Sequence, residues 1–213
     1  MEVIPLECGP LATNCYILID EFTKTALLID CPPDSCDAIL ELSYEKDFKI
    51  EALLLTHSHF DHIMDASELK EVAGIPVYVH KDDEYRLLDP MKHASIALPF
   101  EVDPVTPDGY LKHGDTILCG DMIVEVIHTP GHTEGSVSFT IHNKKLCFTG
   151  DTIFRGSVGR IDLPGGNEQQ ILNSINNKIL ALADDYILFP GHGPRTTVGY
   201  EKATNPFLSG LLL

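Results

Sequence analysis

The chain has 213 residues, and its 15 lysines and arginines against 32 aspartates and glutamates give a formal net charge of −17. That length fits one domain with a sizeable core over residues 1–213, and the acidic balance argues against non-specific nucleic-acid binding, which needs lysine and arginine to neutralise phosphates. No apolar run reaches the roughly 18 residues of a membrane span, and no basic region followed by an apolar stretch opens the chain, so we expect a cytoplasmic protein with no membrane partner.

Apolar runs alternate along the chain with segments whose apolar residues recur at intervals of three and four. The runs predict eight strands, at 15–19, 25–29, 52–55, 76–79, 123–127, 136–141, 145–148 and 186–189. The periodic segments predict four helices, at 34–44, 66–73, 81–87 and 167–182, with Asp34 and Asn167 as N-caps. Strands mixed with helices that fall between and after them predict an α/β fold of two sheets with helices outside.

Two proline- and glycine-rich stretches, 90–109 and 154–166, predict long irregular loops. A loop of this length is either a lid or substrate wall near a site, or a plain surface connection. The stretch 90–109 leaves both possibilities open. The stretch 154–166 comes directly after Asp151, whose carboxylate could bind a metal ion. We therefore expect this stretch to face a substrate.

The six cysteines show no Cys-x-x-Cys spacing. In a chain of this size without a secretion signal, they indicate reduced thiols rather than a disulfide framework. Cys15, Cys119 and Cys147 lie inside apolar runs, so we expect them to be buried as small apolar residues.

A dense set of metal-binding side chains follows the apolar run 53–55. His57, His59, Asp61 and His62 fall within six consecutive residues. Imidazole nitrogen and carboxylate oxygen are good ligands for zinc, and a catalytic zinc takes three protein ligands and one open position. A loop leaving a strand can turn the first two side chains to one side and the last two to the other. This spacing favours two neighbouring ions.

Three more candidates, His132, Asp151 and His192, each follow a glycine just beyond an apolar run. The two carboxylate oxygens of Asp151 make it the natural bridge between two ions. For any single histidine of the ten, an ordinary surface or hydrogen-bonded role is the simpler interpretation. His128 is predicted to be an outer partner of the ligands or to have a structural role. The ordinary interpretation stands for His80, His93, His113 and His142.

The order of these seven ligands resembles the metallo-β-lactamase fold superfamily over nearly the whole chain. The segments 148–152, 156–166, 191–197 and 205–208 are similar to the short glyoxalase II-like hydrolases within it. The resemblance implies an αββα sandwich of two mixed β-sheets flanked by helices. It also implies two divalent ions, with zinc favoured and iron or manganese possible. It assigns His57, His59 and His132 to one ion, Asp61, His62 and His192 to the other, and Asp151 to both.

The resemblance further implies hydrolysis of a small thioester such as S-lactoylglutathione by attack of a metal-bound hydroxide. Asp61 and Asp151 are the catalytic carboxylates through their hold on the metals, not as independent general bases. Zinc β-lactamases have a thiolate or hydroxyl where Asp151 stands, which argues against antibiotic hydrolysis. Full-length glyoxalase II enzymes have an extra helical region that helps to hold glutathione, and this chain ends at Leu213, so we expect recognition from the core domain.

Arg160 occupies a position where relatives commonly place a basic residue that contacts glutathione, whose carboxylates suit a guanidinium. A solvated surface charge is the competing interpretation for Arg160. Arg155 and Arg195 are weaker candidates for the same contact.

Two other functions stay open at the level of sequence. One is an iron-dependent persulfide dioxygenase of the same superfamily, which holds a single iron with two histidines and one aspartate. The other is a metal-binding protein without turnover, which the complete ligand set for two ions disfavours. The sequence does not name the acyl group, the thiol carrier or the oligomeric state.

Overall fold

A computed structural model of the protein describes residues 1–94 and 98–209. Twelve of the described strands form two six-stranded sheets. The first sheet contains β1 (Glu2–Cys8), β2 (Thr13–Asp20), β3 (Thr25–Ile29), β4 (Lys49–Leu54), β5 (Val77–His80) and β6 (Gly109–Leu111). The second contains β7 (Thr116–Cys119), β8 (Met122–His128), β9 (Val137–Ile141), β10 (Leu146–Gly150), β13 (Ile187–Pro190) and β14 (Thr196–Thr197). A hairpin of β11 (Ile153–Phe154) and β12 (Ser157–Val158) is separate from both.

Both sheets are mixed. In the first, with the order β1-β2-β3-β4-β5-β6, the strands β1 to β3 are antiparallel and β3 to β6 are parallel. In the second, with the order β14-β13-β10-β9-β8-β7, only β10 and β13 are parallel neighbours.

Helices cover the outer faces of the sheets. They are α1 (Cys36–Lys46), α2 (Phe60–Ile63), α3 (Ala66–Ala73), α4 (Glu84–Leu88), α5 (Pro90–His93), α6 (Glu168–Ser174) and α7 (Val198–Thr204). A π-helical turn, Ile175–Ile179, continues α6, and short 3-10 turns occur at Lys81–Asp83, His142–Lys144 and Pro206–Ser209.

Strand β2 shows why the central runs are apolar on both faces. Cys15, Ile17 and Ile19 belong to the core between the first sheet and its helices, whereas Tyr16 and Leu18 belong to the core between the two sheets. A strand buried on both faces has no polar alternation. A third core joins α6 and the π-turn to the outer face of the second sheet. The layers are therefore helix, sheet, sheet, helix, and the predicted αββα sandwich is confirmed.

All eight predicted strands are present, within three residues at each end. Asn167 caps α6 as predicted, since its side chain accepts a hydrogen bond from the nitrogen of Gln170 at 3.0 Å. The predicted cap at Asp34 is wrong. Asp34 has a φ of 65° in the turn before α1, and the carboxylate of Asp65 accepts hydrogen bonds from the nitrogens of Ser35 and Cys36 instead.

Several elements were not predicted. Strand β1 contains Pro5 and lies at the edge of the first sheet, where a missing N–H costs no ladder hydrogen bond. Strands β6, β7 and β14 and helix α7 are too short to give a clear period. Within the predicted loop 90–109, α5 forms at its start, residues 95–97 lie outside the described part, and Val102 and Val105 are buried in the first core.

The six cysteines are free, and Cys15, Cys119 and Cys147 are buried as predicted. No helix in the described ranges is long and apolar enough to cross a membrane.

Candidate metal centre

The first four candidate ligands lie where the chain leaves β4. His57 and His59 lie in the loop that follows the strand, and Asp61 and His62 lie in helix α2. His59 is the N-cap residue of α2, with φ −69° and ψ 148°, so the chain changes from extended to helical between the two pairs. This change separates the directions of the two pairs of side chains.

The other three candidates come from the second sheet. His132 follows β8, Asp151 follows β10 and His192 follows β13. Strands β8 and β10 run in the same direction, since each is antiparallel to β9, and β13 is parallel to β10. The carboxyl ends of these strands therefore meet at one edge, which is where ligands bind in many α/β proteins.

The structure brings all seven candidates together. The side chains form three overlapping groups, in each of which one nitrogen or oxygen atom per residue lies within 4.8 Å of the others. The groups are His57, His59 and His132; His57, His62 and Asp151; and Asp61, His62 and His192.

Asp151 lies between the outer two groups. Its Oδ2 atom is 3.5 Å from the Nε2 atom of His132 on one side and 3.5 Å from the Nε2 atom of His192 on the other. Its Oδ1 atom is 3.3 Å from the Nε2 atom of His62. His192 Nε2 also lies 3.2 Å from Asp61 Oδ2. One carboxylate thus contacts members of both sets of ligands.

Unpartnered atoms at the centre test whether a metal fits. Among the described residues, four buried side-chain atoms have no hydrogen-bond partner: His57 Nε2, His59 Nε2, His62 Nε2 and Asp151 Oδ1. Buried polar atoms are nearly always satisfied, because desolvation without a partner is costly. All four belong to the candidate ligands, so the donor set fits divalent metal ions.

Burial and neighbouring charges set the protonation of the ligands. Burial lowers the pKa of His57 well below its usual value, and burial with the charge of His132 lowers the pKa of His59 to about 3. Burial also acts to lower the pKa of His192, but contacts with Asp151 and Asp61 outweigh it and raise that pKa to about 10. A metal held by His192 therefore takes the place of a proton.

Asp30 orients two ligands and was not assigned a role from sequence. Its Oδ2 atom lies 2.8 Å from the Nδ1 atom of His62 and accepts a hydrogen bond from the hydroxyl of Thr56 at 2.7 Å. The Thr56 hydroxyl is 3.0 Å from Nδ1 of His57. Such outer partners fix the ring orientation and the tautomer of ligating histidines.

Backbone carbonyls orient two more rings. The Nδ1 atom of His132 donates to the carbonyl of Arg160 at 2.8 Å, and the Nδ1 atom of His192 donates to the carbonyl of Leu11 at 3.1 Å. A carbonyl oxygen only accepts, so each Nδ1 carries a proton, and each ring turns its Nε2 atom toward Asp151, whose Oδ2 atom is 3.5 Å away.

Asp83 is a second residue that sequence reasoning missed. It is fully buried, and its carboxylate accepts hydrogen bonds from Ser58, Thr133, Gly135 and Arg86. No sequence motif marks it, because its partners come from three separate segments.

Two glycines have contacts that exclude a side chain. A Cβ atom on Gly191 would lie 2.2 Å from Oδ1 of Asp151, and one on Gly159 would lie 1.8 Å from the carbonyl oxygen of Asp151. Glycine therefore lets the chain pass close to Asp151 from two directions.

A cavity of about 460 Å³ opens beside the ligands, lined partly by residues of the stretch 154–166. Arg160 lines it too, but its side chain is 59% exposed, and its Nε and Nη2 atoms each donate to the carboxylate of Asp162 at 2.7 Å. Arg155 lies over the ring of Tyr200 and, with Arg195, lines a different cleft.

The rings of His80 and His128 stack 4.1 Å apart, near Asp82, at an interplanar angle of 7°. The lone pairs of two parallel rings lie in separate planes and do not converge on one ion. His128 instead hydrogen-bonds through Nε2 to the carbonyl of Glu134 at 3.0 Å. This arrangement is structural.

The chain has curated relatives across nearly its full length. It is 38% identical to the probable metallo-hydrolase YqgX of Bacillus subtilis, with 96% of each chain covered. It is 35% identical to the hydroxyacylglutathione hydrolase GloC of Haemophilus influenzae, with 98% of each covered.

Solved structures share the fold. The crystal structure of BLEG-1, a B3 metallo-β-lactamase, matches with a TM-score of 0.91 and 36% identity, covering 98% of this chain and all of the other. ETHE1 from Myxococcus xanthus matches with a TM-score of 0.82 and 28% identity, covering 99% and 85%. TTHA1623 in a di-iron-bound form matches with a TM-score of 0.79 and 35% identity, covering 97% and 100%.

The family model of the metallo-β-lactamase superfamily matches residues 8–192, a range that includes all seven candidate ligands. The match, the curated relatives and the αββα layers agree. This chain belongs to the metallo-β-lactamase superfamily.

Proposed function

We propose that this protein is a binuclear metal-dependent hydrolase of a small thioester such as S-lactoylglutathione. The observation that carries the proposal is the position of Asp151, whose carboxylate contacts histidines of both ligand sets. The likeness to GloC, a hydroxyacylglutathione hydrolase, supports the thioester as the substrate class.

Two divalent ions, with zinc as the first candidate and iron or manganese as the others, would supply a water of lowered pKa and polarise the thioester carbonyl. The reaction forms a C–O bond from water and breaks the C–S bond, which gives a carboxylate and a thiol. It needs no oxidant or reductant.

The protein's own residues hold the metals and shape the cavity. Asp61 and Asp151 act as the catalytic carboxylates through the metals, because both are engaged by histidines and neither is free as a general base. Among the described residues that line the cavity there is no serine, threonine, cysteine or lysine side chain to act as a nucleophile. The histidines and aspartates of the lining are the candidate metal ligands, so we take water as the attacking group.

The test is turnover of S-lactoylglutathione by metal-replete protein under nitrogen. Free thiol should appear at the same rate as in air, and elemental analysis should find about two ions per chain. Absence of thiol release from folded, metal-replete protein would overturn the proposal. A variant lacking one ligand, His192→Ala, should lose turnover, whereas the exposed His113→Ala should keep it.

The likeness to ETHE1 supports one alternative, an iron-dependent persulfide dioxygenase with a single iron on two histidines and an aspartate. Rapid oxygen uptake with glutathione persulfide, together with no hydrolysis of the thioester, would favour this alternative. Because the chain is similar to BLEG-1, a β-lactam should be tested as a third substrate beside the thioester and the persulfide. We expect poor β-lactam turnover, since Asp151 stands where zinc β-lactamases have a thiolate or hydroxyl.

A further inference from the structure

Apart from the ligands themselves and Arg160, the residues that line the cavity beside the metal centre are apolar. Five of the candidate ligands lie on its inner side. The remaining lining residues are Leu11, Phe60, Phe154, Val158, Leu163 and Arg160. Leu11 is half exposed at the opening, so a bound group would remove apolar surface from water there.

Hydrogen bonds to ligand histidines hold both apolar sides of this cavity in place. The carbonyl of Arg160, two residues after Val158, accepts from Nδ1 of His132. The carbonyl of Leu11 accepts from Nδ1 of His192. The ring of Phe154 lies 6.0 Å from the ring of His192, edge to face. The apolar side chains therefore lie at fixed positions next to the reacting centre.

Apart from the metal ligands, charge is confined to the opening. Arg160, the one arginine or lysine among the described lining residues, is largely exposed and is paired with the exposed Asp162. Away from the metal ligands, the apolar lining offers a charged or strongly polar group no hydrogen-bond partner, so such a group would lose its hydration there.

We propose that the cavity binds the acyl chain of the thioester and that this chain is a short aliphatic one rather than a hydroxylated one. The inference rests on the proposed thioester hydrolysis. Of the two groups on the scissile carbonyl, a thiol carrier such as glutathione has carboxylates, which belong at the opening beside Arg160. The acyl chain is then the group left for the apolar interior. Each methylene group buried there should raise kcat/KM about fourfold until the cavity is full.

The test compares two glutathione thioesters of nearly equal shape, S-lactoylglutathione and S-isobutyrylglutathione, in which a hydroxyl replaces a methyl group. Each kcat/KM is divided by the rate of the same thioester with free hydroxide, which removes the difference in intrinsic reactivity. We expect the isobutyryl compound to be favoured by about tenfold to hundredfold. A ratio of one or less would overturn the inference.

Binding gives a second readout that needs no turnover. The thioether S-isobutylglutathione has no scissile carbonyl, and it should bind more tightly than S-(2-hydroxypropyl)glutathione, with a negative ΔCp by titration calorimetry. Equal affinities for the two thioethers would contradict the proposal.

Leu163→Ser should reduce the isobutyryl preference at least threefold, because it removes part of the apolar side of the cavity. Leu118→Ser is the matched control, since Leu118 is an exposed leucine on β7 outside this cavity. A preference unchanged in Leu163→Ser would count against the assigned location. Thioester turnover without acyl preference would remove this inference and leave the proposed function, whereas no turnover of any thioester would remove both.

Discussion

The carboxylate of Asp83 accepts a hydrogen bond from the backbone nitrogen of Ser58 at 2.9 Å, and Ser58 lies between His57 and His59. The same carboxylate accepts a hydrogen bond from the hydroxyl of Thr133, which follows His132, also at 2.9 Å. One buried acid thus fixes the distance between the two chain segments that supply the first group of ligands.

Asp83→Ala should lower the free energy of unfolding by about 3–5 kcal/mol. The change removes the fully buried partner of the Arg86 guanidinium, which keeps only the more exposed carboxylate of Glu134, and breaking a buried ion pair from one side costs about that much. It also leaves the donors of Ser58 and Thr133 unsatisfied. Urea denaturation of the metal-free protein measures the loss.

Asp82→Ala is the control, because Asp82 is the neighbouring aspartate with a largely exposed side chain. It should change the free energy of unfolding by less than about 0.5 kcal/mol. If the two variants were equally stable, Asp83 would not hold the ligand segments together.

The seven candidate ligands could be predicted from sequence because each is a metal-binding residue type at a strand end. Asp30 and Asp83 could not, since a single aspartate has no spacing to mark it and its role depends on which segments the fold brings together. Asp30 contacts His62, which is 32 residues away in the sequence, and Asp83 accepts hydrogen bonds from both Ser58 and Thr133. Outer partners of a site are a product of tertiary structure.

The layers of the fold could be predicted from the central strands, whose runs are apolar on both faces. The edge strands of the sheets could not be predicted in this way. Strand β1 carries Pro5 and is partly exposed, and β6 has only three residues, so neither has the apolar run of a buried strand. Asp34 was predicted as a cap from residue type alone, whereas the carboxylate that caps the start of α1 belongs to Asp65, 30 residues from Ser35.

Asp151→Ala should lose metal from both sites, because the carboxylate contacts ligands of both groups. Elemental analysis of dialysed, metal-replete protein should fall from about two ions per chain to fewer than one. The exposed Asp103→Ala provides the control and should keep about two. Retention of both ions by Asp151→Ala would refute the bridging role.

Asp162→Asn should lower KM for a glutathione thioester by about twofold to fivefold, and Arg160→Ala should raise KM by a similar factor with a smaller change in kcat. The pair between these residues is exposed and screened by water, so a substrate carboxylate can displace Asp162 from the guanidinium. Steady-state kinetics of both variants measure the shifts. An unchanged KM in both would make Arg160 a solvated surface charge.

Gly159→Ala should reduce turnover strongly and destabilise the protein by about 1–3 kcal/mol. Its Cβ atom would lie 1.8 Å from the carbonyl oxygen of Asp151 and 3.3 Å from Cβ of His132, so the stretch that carries Val158 must move away from the metal centre.

Gly156→Ala, in the same stretch, is the control. Gly156 has a φ of 71° but open space around it, so alanine there brings only backbone strain of about 1–2 kcal/mol. Thiol release per bound metal separates the two variants: Gly156→Ala should keep it, and Gly159→Ala should lose at least tenfold. If Gly159→Ala kept full turnover per metal, the close approach of this stretch to Asp151 would have no part in catalysis.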